Sequence, residues 1–214
     1  WFTIQLSRDQ VVVGTAINLL AIGVTGTLYR AWYGQSGQLL SLPGLPKVGG
    51  VDAVIVVLLL AVPAVWWTME RTALGLALRA AGHAPHAVLA SGHSVVRLRF
   101  LASVFGGAMA GLAGAYLAVG VAGSFAERMT QGRGFVALAL VTFGRWNPMG
   151  ALAAAILVGW AESLQYTLQS KGGGVPHQFL VALPYVLALL VLVVVGRGGT
   201  APAALGRPLA QDKP

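Results

Sequence analysis

The 214-residue sequence contains no cysteine, which excludes disulfides, zinc ribbons and cysteine nucleophiles. Charge is almost as scarce: 9% of residues are charged, with six acidic side chains against 14 basic ones. Soluble domains carry about 25% charged residues, so this set is too small to keep an apolar core in solution. No G-x-x-x-x-G-K-[ST] string occurs, and the chain therefore builds no phosphate-cradling loop of that type. Neither a basic n-region with a cleavage site nor an initiator methionine opens the sequence. It begins at Trp1 in a short polar stretch that leads straight into a hydrophobic run, which predicts a longer chain whose N-terminal part is missing.

What remains is apolar. Hydrophobic residues make up 57% of the chain, the mean hydropathy is +0.76, and there are 29 glycines, a residue more frequent in membrane helices than in soluble ones. A net charge of +8 would suit nucleic acid. In a polytopic protein it reflects the retention of Lys and Arg on the cytoplasmic side, so no nucleic-acid partner is expected. The expected fold is an all-α, polytopic transmembrane helix bundle.

Spanning a hydrocarbon core takes roughly 20 apolar residues as a helix. Val11–Tyr29, Ala53–Met69, Phe100–Gly123, Met149–Gln169 and Gln178–Gly196 meet that requirement. Trp66 and Trp67 form an interfacial belt at the end of the second run. The apolar stretch Gly134–Gly144 is shorter, reaching only about 16 Å at 1.5 Å per residue. If it crosses, there are about six passes and nine of the 14 Lys and Arg fall on the side that holds both chain ends. If it dips and returns, the division becomes six against eight. The positive-inside rule favours crossing, with both ends cytoplasmic and flanking residues from Met129 to Trp146 supplying the missing length.

The third run carries Gly106, Ala110 and Gly114 at four-residue spacing, with Gly107 and Gly111 beside them. Small residues at that spacing let helices approach closely in lipid, either as fixed packing or as a moving interface. Inside the expected spans, Glu162 with Gln165 on nearly the same face, and Asn18 in the first run, are the polar groups of interest. An ionisable group at that depth faces the bundle interior or water, as part of a solute pathway or as a hydrogen-bonded structural residue. The same alternatives apply to Asn18.

The longest polar segment, Glu70–Arg99, falls on the expected cytoplasmic side with four arginines and three histidines, His83, His86 and His93. Ala84–Ala90, containing Pro85, suits a short helix that docks into a partner; a solvated loop is the plainer reading. The histidines lack a nearby carboxylate or cysteine companion, so no metal is expected there. Tyr33-Gly34-Gln35-Ser36-Gly37 contains the GxSG string used by some intramembrane serine proteases. It sits in a Gly- and Pro-rich loop with no histidine inside a span to act as its base, and a flexible loop is the better reading.

These residues also carry a resemblance. Asp9-Gln10-Val11-Val12-Val13-Gly14-Thr15-Ala16-Ile17-Asn18-Leu19-Leu20 resembles the entry segment of bacterial ABC permeases for nucleosides and simple sugars, within the broader family of branched-chain amino-acid and ribose permeases. Leu78-Arg79-Ala80-Ala81-Gly82 through Ala90-Ser91-Gly92 resembles that family's cytoplasmic coupling segment. Gly132-Arg133-Gly134-Phe135-Val136-Ala137-Leu138-Ala139, followed by Phe143-Gly144-Arg145-Trp146-Asn147-Pro148, is similar to the nucleoside and sugar branch, as is Ala201-Pro202-Ala203-Ala204-Leu205-Gly206. His93 departs from the family's usual apolar residue, and the family's N-terminal helices, with their "NIGLEG"-like motif, are not in this sequence.

The resemblance implies one transmembrane permease domain over 1–214, the C-terminal part of a longer subunit, with a coupling segment at 70–99. It implies ATPase contacts from Gly82, His83, Pro85, His86, Ala87, Ser91 and Gly92, and a solute pathway that includes Asn18, Gly134, Phe135, Glu162 and Gln165. The implied partners are cytoplasmic ABC ATPase subunits, a second permease subunit, an extracytoplasmic solute-binding lipoprotein and membrane lipid. ATP and Mg would belong to the ATPase, with no cofactor in this chain, which would lie multi-pass in a bacterial plasma membrane. An ABC permease for branched-chain amino acids, an ion-coupled secondary transporter dependent on Glu162, and a membrane-embedded serine hydrolase built on Ser36 are the alternatives.

Overall fold

The computed structural model describes residues 3–4, 8–33, 44–130, 132–170, 186 and 201–206. The elements are α1 (Gln10–Tyr33), β1 (Lys47–Val48), β2 (Val51–Asp52), α2 (Ala53–Arg71), α3 (Ala73–His83), α4 (Pro85–Ala90), α5 (Val95–Tyr116), α6 (Arg133–Phe143) and α7 (Pro148–Ser170). Among the described residues four helices are long and apolar enough to cross a membrane: α1, α2, α5 with its extension to Val121, and α7. The expected last span, Gln178–Gly196, and the Gly34–Gly37 string with Ser36 lie outside the described residues. Large apolar side chains such as Leu20, Leu60, Leu101 and Ile156 stand exposed along these helices, as suits a bundle whose solvent is lipid.

Local chemistry sets the helix boundaries. The Asp9 carboxylate accepts from the N–H groups of Val11 at 2.7 Å and Val12 at 3.2 Å, capping α1. β1 and β2 pair as a minimal antiparallel hairpin, with Lys47 opposite Asp52 and Val48 opposite Val51. Its turn, Gly49 and Gly50, has φ of +62° and +86°, the positive values that a two-residue hairpin of matching twist requires. Ser94 caps α5 five residues ahead of the expected start, taking Arg97 and Arg99 into the first turns of the helix. Long basic side chains there reach back to the interface. At its far end α5 widens into a π-helical turn, Leu117–Val121, closed by the Ala122 N–H on the Leu117 carbonyl at 3.0 Å.

One sequence expectation needs correction. The short apolar stretch borrows no flanking residues: α6 spans only Arg133–Phe143, about 16 Å. Gly132, at φ +81°, precedes it, and a turn with Arg145 at +55° and Trp146 at +60° follows it. Left-handed backbone at both ends stops helix propagation, so the helix itself covers about half of a hydrocarbon core. Among the described residues nothing packs on the small-residue stripe of α5. A Cβ placed on Gly106, Gly107, Gly111 or Gly114 would meet nothing within 4 Å.

The described residues fall into two compact units. One comprises 1–60, 68–131 and 202–214; the other comprises 61–67 and 132–201.

Candidate functional site

In the first unit, the polar segment 70–99 is folded rather than an open loop. Thr72 makes the corner between α2 and α3: its hydroxyl donates to the Thr68 carbonyl at 2.6 Å and accepts from the Gly75 N–H at 3.1 Å. A side chain at position 75 would strike the backbone of Thr68 and Met69, so glycine alone fits the corner. α3 ends at His83, and Pro85 at the first position of α4 starts the next helix without needing an amide hydrogen. Ala81, Val88 and Val95, one from each of α3, α4 and α5, bury against one another with Ala80 and Leu98 packed around them.

That small core sorts the candidate coupling residues. The expected short helix is present, at Pro85–Ala90, with Pro85 and Val88 buried as its anchor. His83, His86, Ala87, Ser91 and Gly92 are exposed, as is His93. Gly92, at φ +80°, turns the chain after α4, and the Ser91 hydroxyl donates to the Val88 carbonyl at 2.8 Å. Gly82 is half-buried. Its carbonyl accepts from the Ala204 N–H at 2.9 Å, and a Cβ there would sit 3.4 Å from the Pro202 ring. The C-terminal turn Ala201–Gly206 is thus seated on the end of α3. No local signal announces this contact, because the two segments are remote in the chain. Among the described residues no three metal-ligating side chains come together.

Elsewhere in this unit, polar contacts tie helix ends to loops. The Arg30 guanidinium donates twice to the Glu127 carboxylate, Nε to Oε1 and Nη2 to Oε2, both at 2.7 Å. Glu127 in turn lies over Gly26, and Tyr29 packs on Phe125 with ring centroids 5.0 Å apart. The Arg30 hydrogen bonds hold the Glu127 carboxyl below its ordinary range, against the opposing effect of desolvation. The Tyr116 hydroxyl donates to Asp52 Oδ2 at 3.2 Å, linking the base of the π-helical turn to the start of α2. Asn18 lies exposed on α1.

The second unit is built on a hairpin of α6 and α7. Gly144 and Gly150 press backbone on backbone, and a methyl on either would collide with the other segment. Asn147 caps α7 through the Met149 N–H at 2.9 Å, followed by Pro148 at its first position. From that closed end the helices run antiparallel. Arg133, at the start of α6, reaches Glu162, with Nη1 to Oε2 at 3.9 Å. Glu162 lies 14 residues beyond Pro148, about 21 Å along α7, well inside the span. Phe135 is 78% exposed and Gly134 is open beside it, while Gln165 is half-buried one turn beyond Glu162. Four of the five expected pathway residues therefore fall in this unit, and Asn18 falls in the other. Arg133 was missing from the expected set. Its position beside a short apolar stretch, opposite in sign to the lone acid of α7, was the available signal.

Comparison with known proteins places this arrangement. The family model described as "Branched-chain amino acid transport system / permease component" matches residues 1–196. The chain is similar to the guanosine ABC transporter permease protein NupQ of Bacillus subtilis, at 33% identity over 98% of this chain and 72% of that protein. It is similar to the nucleoside ABC transporter permease protein NupC of Lactococcus lactis, at 31% over 95% and 70%. The putative glucose ABC transporter permease protein TsgC13 of Haloferax volcanii matches at 36% over 78% of this chain and 55% of its own length. No solved structure matches significantly. The chain is a multi-pass membrane protein of the branched-chain amino acid transport system permease family.

Proposed function

We propose that this chain is the membrane-spanning permease subunit of an ABC importer that carries nucleosides or simple sugars across a bacterial plasma membrane. The observation that carries the reading is the folded 70–99 segment: α4 is pinned by Pro85 and Val88 while His83, His86, Ala87, Leu89 and Ser91 point outward. A short helix anchored on a small core and exposed along its other face is a rigid docking element. Cytoplasmic ATPase subunits, which bind ATP and Mg, seat on it and tip the bundle between inward- and outward-facing states. A second permease subunit completes the pathway and an extracytoplasmic lipoprotein delivers the solute. The C-terminus lies on the ATPase side, where Ala204 meets Gly82. Asn18, Gly134, Phe135, Glu162 and Gln165 line the pathway.

The relatives named for guanosine and nucleoside transport cover nearly all of this chain, which supports nucleosides over the branched-chain amino acids of the family's description. The test is co-purification and ATP-driven uptake with His86→Glu and Leu89→Glu, both on the exposed face of α4. Each variant is expected to weaken ATPase binding by about tenfold or more, the scale of a central interface residue, with thermal stability unchanged. Normal uptake by both variants would show that the ATPase docks elsewhere.

A further inference from the structure

Among the described residues there are three ion pairs, and they differ in closure. Arg30–Glu127 and Arg79–Glu70 close to 2.7 Å and 3.0 Å as hydrogen bonds. Arg133–Glu162, which joins the start of α6 to the interior of α7, stays open at 3.9 Å, with the two side chains 52% and 40% exposed. At that separation the charges attract but no hydrogen bond forms. Neither side chain has another hydrogen-bond partner among the described residues, and both remain accessible to a polar ligand. A purely structural lock would close to hydrogen-bond distance, as the other two pairs do.

A second observation lies on the same helix. Gln165 and Gln169 follow Glu162 at three and seven residues, which places all three on one stripe of α7. The Gln169 side-chain nitrogen is buried and has no hydrogen-bond partner. A stripe of three polar side chains along a membrane helix, one of them with a buried and unpartnered donor, faces something polar.

We propose that Arg133 and Glu162 form a solute-recognition pair that binds an uncharged solute presenting an acceptor and a donor side by side on one edge. Arg133 donates to the acceptor, and Glu162 accepts from the donor. The pair is neutral as a whole, so an ion of a single sign would pair with one partner and strand the other. A zwitterion such as leucine would satisfy both, and it is the importer reading, with its nucleoside-named relatives, that favours an uncharged solute. The edge of a nucleobase and the vicinal diol of a sugar both supply the required chemistry. This inference rests on the importer reading above and adds to it the groups that recognise the solute.

The test is uptake by the full-length permease, assembled with its partner subunits in proteoliposomes, using labelled guanosine, ribose and leucine. Arg133→Gln and Glu162→Gln should each raise KM by about tenfold or more, as loss of a charged hydrogen bond does, with ATPase assembly intact. An effect on guanosine identifies a base edge, and one on ribose identifies a diol. The charge-exchanged double variant, Arg133→Glu with Glu162→Arg, should not recover wild-type KM, because it inverts donor and acceptor. Unchanged KM in both single variants, full recovery in the double variant, loss of assembly in the single variants, or leucine as the accepted solute would each overturn the proposal. A wild-type protein that moves none of the three solutes, or moves them without ATP, would instead overturn the importer reading itself.

Discussion

At the scale of single residues, polar side chains here act mainly by ending or joining elements. Asp9 caps α1, Asn147 caps α7, and Glu127 ties its loop to Arg30. Glu127 makes a pH-dependent prediction. Its carboxyl is held below the ordinary value of 4.5, first by the hydrogen bonds from Arg30. A depressed folded-state value means that the stabilisation is fully present above 4.5 and disappears as pH falls through the lower, folded value. Glu127→Gln should therefore melt below wild type at neutral pH in detergent, and the gap should close on acidification. High salt should narrow it too, since both partners are solvent-accessible. A gap that persists unchanged at acid pH would assign Glu127 a different role. The capping aspartate and asparagine stand beside their helix starts, as local signals that the search for apolar runs passed over. The partnership of Glu127 with Arg30 has no such signal, because nothing local connects them.

At the scale of elements, boundaries followed local signals and failed where backbone conformation intervened. α1, α2 and α7 begin and end close to their hydropathy limits. α6 does not lengthen as crossing would demand, because Gly132, Arg145 and Trp146 take up positive φ. Hydropathy reports burial and carries no record of such turns. The corner between α2 and α3 was also missed: a polar segment with few long apolar runs reads as loop, yet Thr72 and Gly75 let α3 turn back onto the small core of Ala81, Val88 and Val95. Gly75→Ala places a methyl against the Thr68 and Met69 backbone. It should lower stability by about 1–3 kcal/mol, the range for overpacking a site that cannot relax. Thermal unfolding of the purified variant measures this, and a neutral result would mean the corner can open.

At the scale of the molecule, the cysteine-free sequence makes orientation directly measurable. Single cysteines at His86, on the exposed face of α4, and at Arg128, beside the Arg30–Glu127 contact, have no competing thiol within these 214 residues. A membrane-impermeant thiol reagent added to intact cells should label Arg128→Cys and spare His86→Cys. Inverted vesicles should give the reverse pattern. Labelling of both positions from one side would contradict the arrangement in which α4 meets the ATPase.

The sequence by itself determined the solvent of this protein and its family. Spans, caps and motifs are written in contiguous residues, and composition alone required lipid around most of the chain. Tertiary structure decided what those pieces touch. It seated the turn around Ala204 on Gly82 and left the glycine stripe of α5 without a neighbour among the described residues. It also set Arg133 against Glu162 across the α6–α7 hairpin. Each of these depends on segments distant in sequence meeting, or failing to meet, in space. Hydropathy and local propensity are sums over neighbours along the chain, so they contain no term for such encounters.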